Sequence, residues 1–88
     1  MEWEVAKLKQ YEYENKIKEL GINLERLDIV IGRKTNVPFS KGCYYDGGQW
    51  NLYDVDERQN FVVTQRGSEE EIFRWLYMIT LGLAKARK

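Results

Sequence analysis

Gly47-Gly48 separates Cys43-Tyr44-Tyr45-Asp46 from Gln49-Trp50-Asn51-Leu52. Two adjacent glycines supply the positive φ angles that a two-residue hairpin turn requires. The register then follows by counting. Asp46 faces Gln49, Tyr45 faces Trp50, Tyr44 faces Asn51 and Cys43 faces Leu52. Directly opposed residues share a face of a sheet. Cys43, Tyr45, Trp50 and Leu52 therefore line an apolar side, and Tyr44, Asp46, Gln49, Asn51 and Tyr53 line the other.

The next turn extends this assignment. Asp56-Glu57-Arg58-Gln59, read as a four-residue loop, sets Leu52 opposite Val63 and Tyr53 opposite Val62. Phe61 and Val63 then join the apolar side, while Val62 and Thr64 join the other. Upstream, Leu27-Asp28-Ile29-Val30-Ile31 alternates as a strand with Leu27, Ile29 and Ile31 on one face. A loop follows from Gly32 to Lys41, holding the only proline, Pro38, and the cations Arg33, Lys34 and Lys41.

Helices flank these strands. Over residues 2–20, Trp3, Ala6, Gln10, Tyr13, Ile17 and Leu20 recur at steps of three and four, and Gly21 suits the C′ position. Ser68-Glu69-Glu70-Glu71 is a capping box opening a second helix. Its core stripe is Ile72, Leu76, Ile79 and Leu83, with Met78 and Leu81 nearly opposite. Lys85, Arg87 and Lys88 complement the dipole at its end. The expectation is a single α+β domain over residues 1–88. It has a four-stranded antiparallel meander sheet with N- and C-terminal helices packed on one face (αββββα). Trp50, Leu52, Phe61, Val63, Leu76 and Ile79 form its expected core.

Composition narrows the chemistry. Fourteen basic and fourteen acidic residues cancel, so the chain lacks the positive field of a nucleic-acid binder. With no histidine, a histidine triad, histidine metal site or histidine proton shuttle cannot be built. The one cysteine, Cys43, cannot form an intrachain disulfide and lacks an activating base, so it reads as a core residue. Asp54, Asp56 and Glu57 lack the spaced ligands and bend glycine of a calcium loop. Gly47-Gly48 is not followed by the Gly-Lys-Ser/Thr of a phosphate loop. No catalytic group, cofactor or metal is expected. Met1-Glu2-Trp3-Glu4 is acidic, unlike the start of a secretory signal. The longest apolar run, Trp75 to Ala84, is too short to span a bilayer. A cytoplasmic protein without membrane contact is expected.

What remains is a binding surface. Tyr44, Asn51, Tyr53 and Val62 are expected to project from an open sheet face, with Asp54, Asp56, Glu57 and Arg58 along its edge. Aromatic and arginine anchors beside edge charges are common in protein interfaces. Two features bear against this surface: the loop 33–41 or a second copy could cover the face, and Met78 and Leu81 offer another surface on the last helix.

The run Gly42 to Tyr53, then Asp56-Glu57-Arg58, then Ser68 to Leu76 with Phe73-Arg74-Trp75-Leu76, resembles the small immunity proteins of bacterial polymorphic-toxin systems. The nearest type is the immunity protein 63 family, over roughly residues 13–84. The resemblance implies a non-catalytic protein that binds and neutralises a cognate toxin in the producing cell, as a monomer or homodimer. Toxins of such systems are often basic nucleases, which an acidic edge would suit. Two other readings stand beside it: a small nucleic-acid-binding module using the aromatic sheet face, and an oligomerising structural domain.

Overall fold

The computed structural model describes residues 8–86. Trp3 and Ala6 of the expected first helix, and Arg87 and Lys88 after the last one, lie outside the described residues. The elements run α1 (Gln10–Glu19), a 3-10 turn (Leu24–Leu27), β1 (Ile29–Ile31), β2 (Lys41–Asp46), β3 (Gln49–Val55), β4 (Phe61–Gly67) and α2 (Glu69–Ala86). The strands form one sheet in the order β1-β2-β3-β4. The fold is α+β.

The glycine hairpin has the counted register. Asp46, Tyr45, Tyr44 and Cys43 pair with Gln49, Trp50, Asn51 and Leu52. Gly47 and Gly48 both take positive φ, 66° and 79°. Asn51 locks the turn, its side-chain amide donating to the carbonyls of Tyr44, Asp46 and Gln49 at 3.2–3.4 Å.

The first helix starts later than expected, with Lys9 as its N-cap, and packs on the second helix instead of the sheet; Leu27 and Asp28 belong to the 3-10 turn and not to the first strand. Two further expectations are corrected. The sheet is mixed, because β1 pairs with β2 in parallel, matching Ile29, Val30 and Ile31 with Lys41, Gly42 and Cys43. Residues 32–40 therefore cross the sheet to its starting end instead of closing a hairpin. Alternation reports which residues share a face, and that is the same for either strand direction. The second correction concerns Phe61 and Val63. The β3–β4 turn has five residues, Asp56–Asn60, because Asp56 Oδ1 accepts from the Arg58 and Asn60 N–H groups at 2.8 and 2.9 Å. Holding Asn60 in the turn puts Phe61 opposite Val55 and Val63 opposite Tyr53. A one-residue slip exchanges faces, so Phe61 and Val63 leave the helix side for the Tyr44–Tyr53 side. An irregularity between Leu52 and Tyr53 then slips the ladder again, leaving Gln65 opposite Leu52 and Gly67 opposite Trp50.

The main core lies on the Cys43–Leu52 face. Tyr13, Ile17, Leu27, Ile29, Cys43, Leu52, Ile72, Phe73 and Leu76 are buried there. Of the expected core, Leu52 and Leu76 are buried, while Trp50 and Ile79 sit at its margin. α2 covers the strands, and α1 rests chiefly on α2. The two helices run parallel. The Gln10 N–H donates to Glu69 Oε2 at 2.8 Å, and Tyr13 packs on Phe73 and Tyr77. Ser68 and Glu71 exchange both bonds of the capping box, at 3.2 and 3.0 Å.

The second face carries a smaller aromatic cluster. Phe61 stacks on Tyr53 at 4.6 Å between centroids, and Tyr44 leans on both rings. Tyr53 crosses the position opposite Gly42. A Cβ there would approach the Tyr53 hydroxyl to 2.7 Å and collide with the Val30 carbonyl, so only glycine admits this ring. The Tyr53 hydroxyl then donates to the Arg33 carbonyl at 2.9 Å, fastening the crossover over this face.

Candidate functional site

The crossover divides the expected surface. Tyr53 is 1% exposed, Asn51 is buried in turn bonding and Tyr44 is half-buried, with Lys34 Nζ 5.2 Å from its ring centre. These three face away from Asp54 and Val62. Asp54 pairs with Lys41 on one side and Val62 on the other, forming a row across three strands on the helix-side face. Val62 is exposed there. The face shared by Tyr44 and Tyr53 is not an open platform.

The edge charges do come together. Asp54, Asp56, Glu57 and Arg58 line an open cleft of about 650 Å³ with Phe39 and Lys41. Lys41 Nζ meets Asp54 Oδ1 at 2.8 Å, neutralising that carboxylate. Asp56 is fully engaged by its own turn. Besides the two backbone bonds, its Oδ2 accepts from Asn60 Nδ2 at 3.0 Å. These bonds hold the Asp56 carboxyl below its ordinary range, so it stays charged while shaping the loop. Glu57 and Arg58 remain exposed at the turn.

Phe39 was not anticipated by the sequence reading. It is 60% exposed with φ 68°. The Ser40 N–H donates to the Val37 carbonyl at 3.2 Å, closing a turn with Pro38 and Phe39 at its centre. Proline followed by a positive φ is the type II pattern, where glycine or asparagine ordinarily takes the second place. A bulky side chain there costs about 1–2 kcal/mol. Val37-Pro38-Phe39-Ser40 was the legible signal: a proline turn whose next residue is apolar and large.

Phe39 is one of three. Among the described residues, Asp28, Phe39 and Gln59 are the non-glycines with positive φ. All three gather at the Lys41–Val55 end of the sheet. The Asp28 carbonyl accepts from Lys41 N–H, Phe39 N–H donates to the Val55 carbonyl, and Gln59 lies in the turn after Val55. Gln59 Nε2 also donates to the Asn36 carbonyl at 3.2 Å, tying that turn to the crossover.

Cys43 is fully buried, and burial pushes its thiol up to about 12. It stays protonated at neutral pH and is a poor nucleophile. Among the described residues no group of three histidine, cysteine or acidic side chains could hold a metal ion. No described helix is long and apolar enough to cross a membrane. No protein-family model, curated protein or solved structure matches the chain.

Proposed function

We propose that this protein is a non-catalytic binder that neutralises a cognate bacterial toxin in the cytoplasm of the producing cell. Its contact surface is the Lys41–Val55 end of the sheet. One observation carries the location: three left-handed non-glycine residues, among them the exposed Phe39, gather beside a charged cleft. Strain that packing does not require is concentrated where proteins hold a functional shape. Phe39 is the anchor, and Glu57 and Arg58 orient the encounter. Asp56 and Glu57 give this end the acidic character that suits a basic nuclease toxin. The toxin reading itself rests on the resemblance of roughly residues 13–84 to immunity proteins.

The nucleic-acid alternative loses support. A stacking platform needs free rings, and Tyr53 lies beneath the crossover with its hydroxyl bonded to Arg33.

The test is calorimetric binding to the product of the adjacent gene, together with rescue of cells expressing it. Phe39→Gly relieves the backbone and should leave stability unchanged or raised by up to about 1 kcal/mol. It should weaken binding at least about tenfold, as loss of an interface anchor does. Glu57→Lys should slow association, with the effect fading at high salt. Unchanged affinity in both variants would place the contact elsewhere.

A further inference from the structure

Along α2, Glu71, Trp75, Met78, Gly82 and Lys85 follow one another at alternating steps of four and three. This is the spacing of a helix-pairing seam. The seam lies away from the buried stripe Ile72, Phe73, Leu76 and Thr80, and all five of its residues are exposed. Trp75 is 38% and Met78 57% exposed, and a Cβ on Gly82 would meet open space. α1 does not cover it, since α1 meets α2 through Tyr13 on Phe73, Tyr77 and Thr80.

The seam is nearly symmetric about Met78. Glu71 stands seven residues before Met78 and Lys85 seven after it, while Trp75 stands three before and Gly82 four after. We propose that α2 is a homodimerisation surface, pairing antiparallel with α2 of a second copy about a two-fold axis at Met78. Glu71 of each copy meets Lys85 of the other, and each Trp75 ring lies over the other copy's Gly82. A two-fold contact requires a surface complementary to itself. Oppositely charged ends equidistant from an apolar centre meet that requirement. Parallel pairing would set Glu71 beside Glu71 and Lys85 beside Lys85.

One detail agrees. Glu71 Oε1 is occupied by the cap with Ser68, leaving Oε2 to face a lysine. The surface uses none of the residues at the Lys41–Val55 end, so it stands whether or not a toxin is the partner.

A two-helix seam is small, so association is weak and is read at high concentration. Sedimentation equilibrium from about 1 μM to about 1 mM should move from one chain mass to two. Met78→Lys sets like charges on the axis and should raise the dimer dissociation constant at least about a hundredfold. Met78→Cys should give a disulfide-linked dimer on oxidation, because a residue on a two-fold axis meets its own copy. Cys43 will not compete, being fully buried. Glu14→Cys, on the exposed side of α1, should remain monomeric in the same oxidation. A single-chain mass throughout, a dimer that survives Met78→Lys, or Met78→Cys linking no faster than Glu14→Cys would each overturn the proposal.

Discussion

The Tyr13 hydroxyl and Thr80 Oγ1 lie 2.8 Å apart in the core, and both residues are 0% exposed. Thr80 Oγ1 also donates to the Leu76 carbonyl at 2.7 Å. Its single proton is therefore committed, so Tyr13 must be the donor in the pair. This direction makes two substitutions unequal. Tyr13→Phe removes the donor and leaves Thr80 still bonded to Leu76, for a loss of about 1 kcal/mol. Thr80→Val keeps the shape but strands the Tyr13 hydroxyl in an apolar site, for a loss of roughly 1–3 kcal/mol. The lost bond to Leu76 adds little, because that carbonyl already accepts from the helix backbone. The double variant leaves nothing stranded and should cost no more than Thr80→Val alone. Thermal denaturation followed by tryptophan fluorescence measures all four proteins, and a difference of 1 kcal/mol moves the melting temperature about 4–8 °C in a domain this small. Additive losses in the double variant, or a loss from Tyr13→Phe as large as that from Thr80→Val, would refute the assigned donor.

Gly82 is helical, exposed and unhindered, so Gly82→Ala should stabilise the monomer by about 0.5–1 kcal/mol, seen as a higher melting temperature at dilution. Gly42→Ala should destabilise by about 1–3 kcal/mol or prevent folding, with hydrogen exchange fastest in β1, because its Cβ would collide with the Val30 carbonyl and the Tyr53 ring. Burial raises the folded ionisation of Cys43 from 9.0, and of Tyr13 and Tyr53 from 10.0, to about 12 each. The native state then holds these protons more tightly than the unfolded chain. That stability is complete below the ordinary values and is lost as pH rises toward about 12, so a melting temperature flat between about pH 9 and pH 12 would contradict the buried placement.

How much of this fold could be read depended on what fixed each part. The hairpin was legible to the residue because two glycines leave one short turn and alternation leaves one register. The last helix was legible because Ser68 and Glu71 announce its start. The β3–β4 turn was not, because its length hangs on one side chain. Asp56 holds Asn60 out of the strand, and nothing in the apolar pattern of Phe61-Val62-Val63 reports that, since both its parities are apolar. The direction of β1 was hidden for a related reason, three alternating residues being equally content in either sense. Of the residues that line the cleft, the charges could be read from the sequence and the phenylalanine could not. Asp54, Asp56, Glu57 and Arg58 stand out in a turn, whereas Phe39 becomes visible only once its backbone is known to be left-handed.

The two slips of β4 belong together. The five-residue turn moves Phe61 and Val63 to the crossover side, where Phe61 stacks on Tyr53. Without a second slip, every later residue of β4 would also change faces. The irregularity beside Tyr53 restores the parity, so Gly67 falls opposite Trp50 and the chain enters α2 over the main core. One strand thus serves two cores in succession. The arrangement frees the Lys41–Val55 end from the helices and holds it by the crossover instead, through Tyr53 to Arg33 and Gln59 to Asn36. Departures from local rules concentrate at functional sites when the rest of a chain is consistent. Here the glycine hairpin, the capping box and the helical stripes obey those rules. The mixed pairing, the lengthened turn and the strained Phe39 depart from them at one end of one sheet, the end proposed above as the binding surface.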